Sequence, residues 1–284
     1  MDLFMALARF LFGRRTVVSE VLAPPPLWSE FTPMAVSPDP SMPILDGYEM
    51  LGRVGHGEMG VVYQALREGH KVAVKVGEGE RFERESSILA KLDLVLDSGP
   101  GYVAYDWIEG RTLEHMLTRR PLEADEFAPL AKVLLAQLRW AHERDICHRD
   151  IKTANIVVTL DGWARLVDFG LAMSEGDTRF TMNGYSMGTP AYMAPEVLLK
   201  GVSDARSDQY ALGVVFFEML SGWPPFQAEC AIELGMMHVR KPVPSLKAMR
   251  PEIPQEWVSQ IERMLAKEPL DRFSDLAQIS FKAS

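Results

Sequence analysis

The spacing of apolar and polar residues along this chain of 284 residues changes period several times. From Ile44 onward it is short and β-branched: Tyr48 to Val54, Val61-Val62-Tyr63, and Val72-Ala73-Val74-Lys75 after a turn at Glu68-Gly69. Runs of this length bounded by glycine predict paired strands. Between Glu80 and Leu92 the period lengthens to that of a helix, with Phe82, Ile88, Leu89 and Leu92 on one face, Glu85 inside that stripe and Glu83 on the opposite side. Leu130 to His142 predicts an apolar helix running into Ile146, and Ser207 opens a second, very apolar helix to Leu220. Ile156-Val157-Val158 and Ala164 to Val167 flank the turn Asp161-Gly162 and predict a hairpin.

The first 43 residues read differently. Leu3 to Phe12 is apolar apart from Arg9 and is followed by Arg14 and Arg15; at about ten residues it is short of a membrane span. Asp2 and the lack of a basic leader and small-residue cleavage site argue against a signal peptide. Two readings stand: a helix docking on a membrane surface, regulator or partner, and a locally packed or frayed terminus. Seven prolines from Pro24 to Pro43 predict extended linker or irregular wrapping, so residues 1–43 are expected to form a separate region without catalytic chemistry.

Composition narrows the class. With 47% apolar and 24% charged residues the chain has the makings of one large core or two lobes, and a soluble enzyme is the default. A net charge of -9 with no cluster of Lys and Arg argues against a nucleic-acid partner. Cys147 and Cys230 are too few for a disulfide framework and lack metal-ligand spacing, which points to a reducing, cytoplasmic compartment. A Cys147-His148 nucleophile is disfavoured, because adjacent residues on an extended segment face opposite ways.

The candidate chemistry centres on His148-Arg149-Asp150-Ile151-Lys152-Thr153-Ala154-Asn155. It offers a carboxylate as base, an ammonium to neutralise charge and an amide as metal ligand, although alone it also reads as a solvated turn. Upstream, Gly55-His56-Gly57-Glu58-Met59-Gly60 places glycines at a hairpin tip, where backbone N–H groups approach phosphate oxygens without Cβ obstruction. In a dinucleotide-binding unit the third glycine opens a helix, whereas Val61 and Val62 continue a strand here. Lys75, at the end of an apolar strand, needs a carboxylate, and Glu85 is the available partner; the other reading of Glu85 is a partly exposed residue at the stripe's edge. Asp168-Phe169-Gly170 follows Asp150 by eighteen residues.

In this order the motifs resemble the protein-kinase family from about Ile44 to the end of the chain. Gly188-Thr189-Pro190-Ala191-Tyr192-Met193-Ala194-Pro195-Glu196 together with Lys152 is similar to the Ser/Thr branch, and the glycine loop resembles its bacterial members. The resemblance implies an α+β bilobal fold, with a small β-rich N-lobe at about 44–105 and a larger helical C-lobe at about 109–284. It implies transfer of the ATP γ-phosphoryl group to Ser or Thr of protein substrates, with Mg2+ or Mn2+. By the same resemblance the nucleotide lies against Val54, Gly55, His56, Gly57, Glu58, Met59, Gly60, Val62, Ala73, Lys75, Tyr105, Asp106, Ile108 and Val157, with Tyr105 as gatekeeper. Lys75, fixed by Glu85, grips the α and β phosphates; Asp150 orients the substrate hydroxyl; Lys152 neutralises the moving group; Asn155 and Asp168 hold metal. Thr189 and Lys152 contact Asp150, Asp208 holds the catalytic loop from beneath, and Arg272 pairs with Glu196. Arg149 is expected to pair with a phosphate on Thr178, Thr181 or Ser186 after autophosphorylation, Thr181 being favoured, or with a carboxylate such as Glu175 or Asp177. The alternative is a pseudokinase or scaffold; a small-molecule kinase is disfavoured by the G-T-P…A-P-E string.

The chain also departs from the family pattern. Lys75 and Glu85 are only ten residues apart, and little chain separates Leu92 from Tyr102. An abbreviated N-lobe with a clipped fourth strand is expected, as is a short or missing last C-lobe helix. Residues 1–43 packing across the domain, or a partner protein, would offset either loss. Oligomeric state stays open.

Overall fold

The computed structural model describes residues 36–37, 41–57, 60–80, 82–83, 86, 89, 95–159, 162–168, 173–174 and 190–282. The described chain through Arg111, with Thr159, forms one compact unit; Thr112 onward forms the other.

The first unit is built on an antiparallel sheet of order β1-β2-β3-β5-β4. Its strands are β1 Glu49–Gly57, β2 Gly60–Arg67, β3 His70–Val76, β4 Asp97–Gly99 and β5 Tyr102–Asp106. β2 and β3 meet at the expected turn, where Glu68 and Gly69 both take positive φ, 50° and 78°. Two such residues in succession match the twist of the flanking strands. β1 runs past Val54 because its glycines keep pairing through their backbones, as far as Gly57 opposite Gly60.

Register sorts the side chains. Ala65, Val72, Val74 and Ala104 form a buried cluster, joined by Leu45, Tyr48, Met50, Val76, Leu96 and Tyr102. The alternate positions belong to the other face, and the three-residue β4 is as clipped as the short spacing suggests. Asp97 anchors it. Tyr48 and Tyr102 donate their hydroxyls to its carboxylate at 2.9 and 3.2 Å, and the Arg67 guanidinium lies 3.2 Å away. Of the helix predicted from Glu80, residues 80, 82, 83, 86 and 89 are helical, with Phe82 and Leu89 buried and Glu83 exposed. Glu83 accepts the Gly101 N–H at 3.0 Å, tying this helix to the β4–β5 turn. The separateness expected of residues 1–43 stops short of Ser37, which bridges to Arg53 of β1.

The second unit begins at the end of β6, Gly110–Thr112, and continues with α1, Leu113–Leu117. The next helix, α2, spans Ala124–His142 and starts six residues before the expected Leu130. Pro129 conceals the start, because proline inside a helix lacks the N–H that continues the ladder. The chain begins the helix earlier through a capping box: Glu126 accepts the Glu123 N–H at 2.8 Å and is itself held bidentate by Arg120.

β7, Ile146–Cys147, pairs with β10, Met173–Ser174; β8, Ile156–Thr159, pairs with β9, Ala164–Leu166, across the predicted hairpin. Then come α3 Pro195–Lys200, α4 Ala205–Ser221, α5 Ala231–Arg240, α6 Leu246–Met249 and α7 Gln255–Met264. α4 is buried on every side from Ser207 to Leu220, as its lack of a polar stripe requires. Phe127, Phe216, Trp257 and Phe281 pack edge to face or tilted around its end. Beyond α7 the described chain forms the short turns Pro269–Asp271 and Leu276–Gln278.

Candidate active site

The loop after β7 is arranged around one carboxylate oxygen. Lys152 Nζ and Asn155 Nδ2 both donate to Asp150 Oδ2 at 2.8 Å, and the Asn155 amide also donates to the Asp150 carbonyl at 2.9 Å. Among the described residues Asp150 Oδ1 has no hydrogen-bond partner, which leaves an acceptor for an incoming hydroxyl. The short 3-10 turn Thr153–Asn155 closes the loop, and Asn155 is buried at 8% exposure.

A second carboxylate fixes the backbone. Asp208, on α4, accepts the N–H of His148 at 2.7 Å and of Arg149 at 2.8 Å, and His142 Nε2 lies 3.0 Å from its Oδ2. Arg149 sits at φ 66° and Asp168 at φ 60°, in the left-handed region that non-glycine residues avoid. Strain of this kind persists only where the surroundings over-determine the backbone, and it clusters at functional sites. Donor atoms of His142, Cys147 and Asp208 lie within 4.8 Å of one another, a juxtaposition that the cysteine spacing did not signal. Both Asp208 oxygens already accept backbone amides, so the trio reads as a hydrogen-bonded anchor.

Asp168 is tied to the same loop through its neighbour. The Val167 N–H donates to the Asn155 carbonyl at 2.9 Å, and His148 Nε2 lies 3.2 Å from the Val167 carbonyl. Complete burial lowers the His148 pKa despite the nearby carboxylates, which keeps the ring neutral. The Asn155 NH2 group is committed to Asp150, so its amide oxygen remains for a cation. That oxygen and the Asp168 carboxylate are hard donors that suit Mg2+ or Mn2+.

In the first unit, register places Val62, Lys75 and Val103 side by side, and likewise Gln64, Ala73 and Tyr105. Paired residues share a face, so Val62, Ala73, Lys75 and Tyr105 all lie on the face opposite the apolar cluster. Lys75 is only 4% exposed. Gly55 has open space where a Cβ would stand. Gly60 is different: at φ 147° its Cβ would drive into the Val76 carbonyl, so its glycine serves the β2–β3 approach. Asp106 and Ile108 fall at the end of β5 and just after it, and Val157 lies buried in β8 of the second unit.

The stretch after Pro190 carries a network that the sequence reading missed. Tyr192 OH donates to Glu218 Oε2 at 2.6 Å and lies 2.9 Å from Thr153 Oγ1, joining the loop, α4 and the Pro190–Tyr192 turn. Burial pushes the Glu218 carboxyl up to about 7; the Tyr192 hydrogen bond opposes this and Glu114 adds to it. An acid inside the apolar run of α4 was the available signal. Nearby, Glu196 and Arg272 pair as expected.

Glu58, Met59, Glu85, Phe169, Gly170, Thr178, Thr181, Ser186 and Thr189 lie outside the described residues, as does the His56 side chain. The first-region segment Leu3 to Phe12 does too.

Residues 48–282 match the family description "Protein kinase domain". Serine/threonine-protein kinase PrkC of Bacillus subtilis is 32% identical over 247 residues, which cover 80% of this chain and 38% of that protein. Serine/threonine-protein kinase PknH of Mycobacterium tuberculosis is 33% identical over 257 residues, covering 83% and 41%. The probable serine/threonine-protein kinase PknB of Lactococcus lactis is 28% identical over 256 residues, covering 82% and 41%. The chain thus spans about two fifths of the length of these curated relatives. The chain belongs to the protein kinase family, and within it to the bacterial-style serine/threonine kinases.

Proposed function

We propose that this chain transfers the γ-phosphoryl group of ATP to Ser or Thr hydroxyls of protein substrates. The observation that carries the reading is the Asp150 carboxylate, with one oxygen held by Lys152 and Asn155 and the other without a partner among the described residues.

Phosphoryl transfer depends mainly on positioning and charge stabilisation. Asp150 Oδ1 accepts the substrate hydroxyl proton as the oxygen–phosphorus bond forms and the bond to the β-phosphate oxygen breaks. Lys152, next to that carboxylate, offsets charge on the moving group. Lys75 grips the α and β phosphates, and the Gly55–Gly60 hairpin covers them. Tyr105, Asp106 and Ile108 border the adenine. The Asn155 amide oxygen and the Asp168 carboxylate would hold a divalent cation, which supplies neutralisation of phosphate charge. The ion pair of Lys75 with Glu85 and the contact of Thr189 with Asp150 belong to the same proposal.

Thr178, Thr181 and Ser186 are the proposed autophosphorylation sites, with Arg149 as the cation that receives the phosphate. Residues 1–43 are proposed as a regulatory or partner contact. Among the described residues no helix is long and apolar enough to cross a membrane.

The deciding experiment supplies labelled ATP, Mg2+ and a generic basic protein to the wild type and to Asp150→Asn. Label on Ser or Thr with the wild type, and a loss of about a hundred-fold or more with the variant at unchanged ATP affinity, is the expected result. Full activity in the variant would remove the assignment. No incorporation by the wild type would favour the pseudokinase reading. Mass spectrometry of both proteins after incubation with ATP tests the three phosphosites.

A further inference from the structure

Val36 and Ser37 lie along the outer edge of β1, the strand that leads into the glycine hairpin. Ser37 N–H donates to the Arg53 carbonyl at 2.9 Å, and Arg53 N–H donates to the Ser37 carbonyl at 2.8 Å. Among the described residues β1 stands at the end of the sheet, so these backbone groups of Arg53 have no strand of that sheet to pair with on that side. The place of the bridge matters. Pairing of β1 with β2 slips between Met50 and Gly52 and again between Arg53 and Gly55. Bulges of this kind bend a strand and interrupt its ladder. The bridge therefore holds β1 between its two irregularities, two residues before Gly55.

Gly52 shows that the edge is shaped for this segment. A Cβ there would stand 2.5 Å from Val36 Cγ1 and 2.7 Å from the Ser37 carbonyl oxygen, and the latter is backbone that cannot swing away. Gly52 is absent from the positive-φ glycines, so space and not backbone conformation demands the missing side chain.

We propose that Val36 and Ser37 form an added edge strand that positions the glycine hairpin and thereby sets nucleotide affinity. The inference rests on the phosphotransfer reading, since the hairpin's ligand is the phosphate chain of ATP. Pinning β1 at Arg53 leaves less conformational freedom to be lost when the hairpin closes on phosphates. In an abbreviated lobe whose β4 has three residues, this support comes from chain ahead of the sheet. Val36, Ser37 and Gly52 are positioning residues; none is proposed to touch the nucleotide.

The test uses the full chain with three separate substitutions. Ser37→Pro removes the N–H donor, Gly52→Val expels both residues from the edge, and Ser37→Ala keeps every backbone bond. Binding of a fluorescent ATP analogue, KM for ATP, kcat, and hydrogen–deuterium exchange at the Arg53 amide are measured. Ser37→Pro and Gly52→Val are expected to raise Kd and KM about three- to ten-fold, the worth of one backbone hydrogen bond. kcat is expected to stay within about two-fold, and Ser37→Ala to match the wild type. The Arg53 amide exchanges faster in Gly52→Val. Faster exchange with unchanged Kd and KM would overturn the proposal and leave the segment as a cover for a sheet edge. A parallel fall in kcat and melting temperature, or failure of the wild type to bind the analogue, would overturn it too. Binding by a wild type that transfers no phosphate would remove the kinase reading alone, and the analogue Kd then still judges the edge strand.

Discussion

Arg272 donates both terminal guanidinium nitrogens to the Glu196 carboxylate, at 2.7 and 2.8 Å, and the arginine is fully buried. Its remaining donors reach the carbonyls of Ala266, Arg206 and Lys267, so one side chain ties α3, α4 and the segment just after α7 together. Burial alone would raise the Glu196 pKa; the Arg272 hydrogen bonds and charge hold it below the ordinary carboxylate value.

Arg272→Ala is expected to destabilise the second unit by about 3–5 kcal/mol, because it strands a buried carboxylate. A depressed carboxyl pKa contributes stability that is present above the unfolded value and lost as pH falls through the folded one. The difference between variant and wild type should therefore be large at pH 7 and shrink in acid below the unfolded carboxyl pKa. Urea unfolding at both pH values measures it; an equal difference at both would contradict the ion-pair account.

Asp208 gives a prediction of a different kind, because it touches no proposed reactant. Replacing it with Asn turns one acceptor into an NH2 group facing the amides of His148 and Arg149, and the loop must shift. A displacement of about 1 Å at the base costs on the order of a hundred-fold in rate. Asp208→Asn should lower kcat by that order while KM for ATP changes little, in steady-state assays with saturating protein substrate.

The fold was readable where side-chain period and backbone demand agree. β2, β3 and the Ile156 hairpin follow their β-branched runs, and α4 follows its apolar stretch. Legibility failed where backbone bonding outran side-chain pattern: β1 continues through glycines that carry no apolar signal, and α2 starts before Pro129 through a capping box made of two glutamates. The motif order located Asp150, Lys152, Asn155 and Asp168 because each lies in a short string. Tyr192 and Glu218 are 26 residues apart, and only folding brings them within 2.6 Å. The Ser37 bridge was hidden for a related reason, since a proline-rich segment announces irregular chain and not an added strand.

Asp97 is where the shortened sheet should be most vulnerable. Tyr48, at the entry to β1, and Tyr102, in β5, direct their hydroxyls at it, and their rings meet edge to face at 5.7 Å. Asp97→Ala removes the acceptor for both and the Arg67 contact. A loss of about 1–3 kcal/mol is expected, with Asp97→Asn closer to the wild type because its amide oxygen still accepts. Thermal unfolding followed at the Tyr signals would show the ranking, and equal stability of Asp97→Ala and the wild type would remove Asp97 as the anchor of β4.

Glu218 sets a dependence of the opposite sign. Burial lifts its carboxyl from the ordinary 4.5 to about 7, opposed by the Tyr192 hydroxyl and helped by Glu114. Between those values the folded chain keeps a proton that the unfolded chain has released. The stability this confers is complete below the unfolded pKa and is lost as pH rises through about 7. Glu218→Gln cannot ionise, yet its amide oxygen still accepts the Tyr192 O–H. The variant should match the wild type near pH 4 and exceed it by roughly 3 kcal/mol near pH 9. Tyr192→Phe should act in reverse: it removes the hydrogen bond that opposes burial, so the pKa of Glu218 rises further, and the loss becomes larger and extends to higher pH. Melting temperatures across pH 4 to pH 9 for the three proteins test both statements, and parallel curves would show that Glu218 does not titrate in this range.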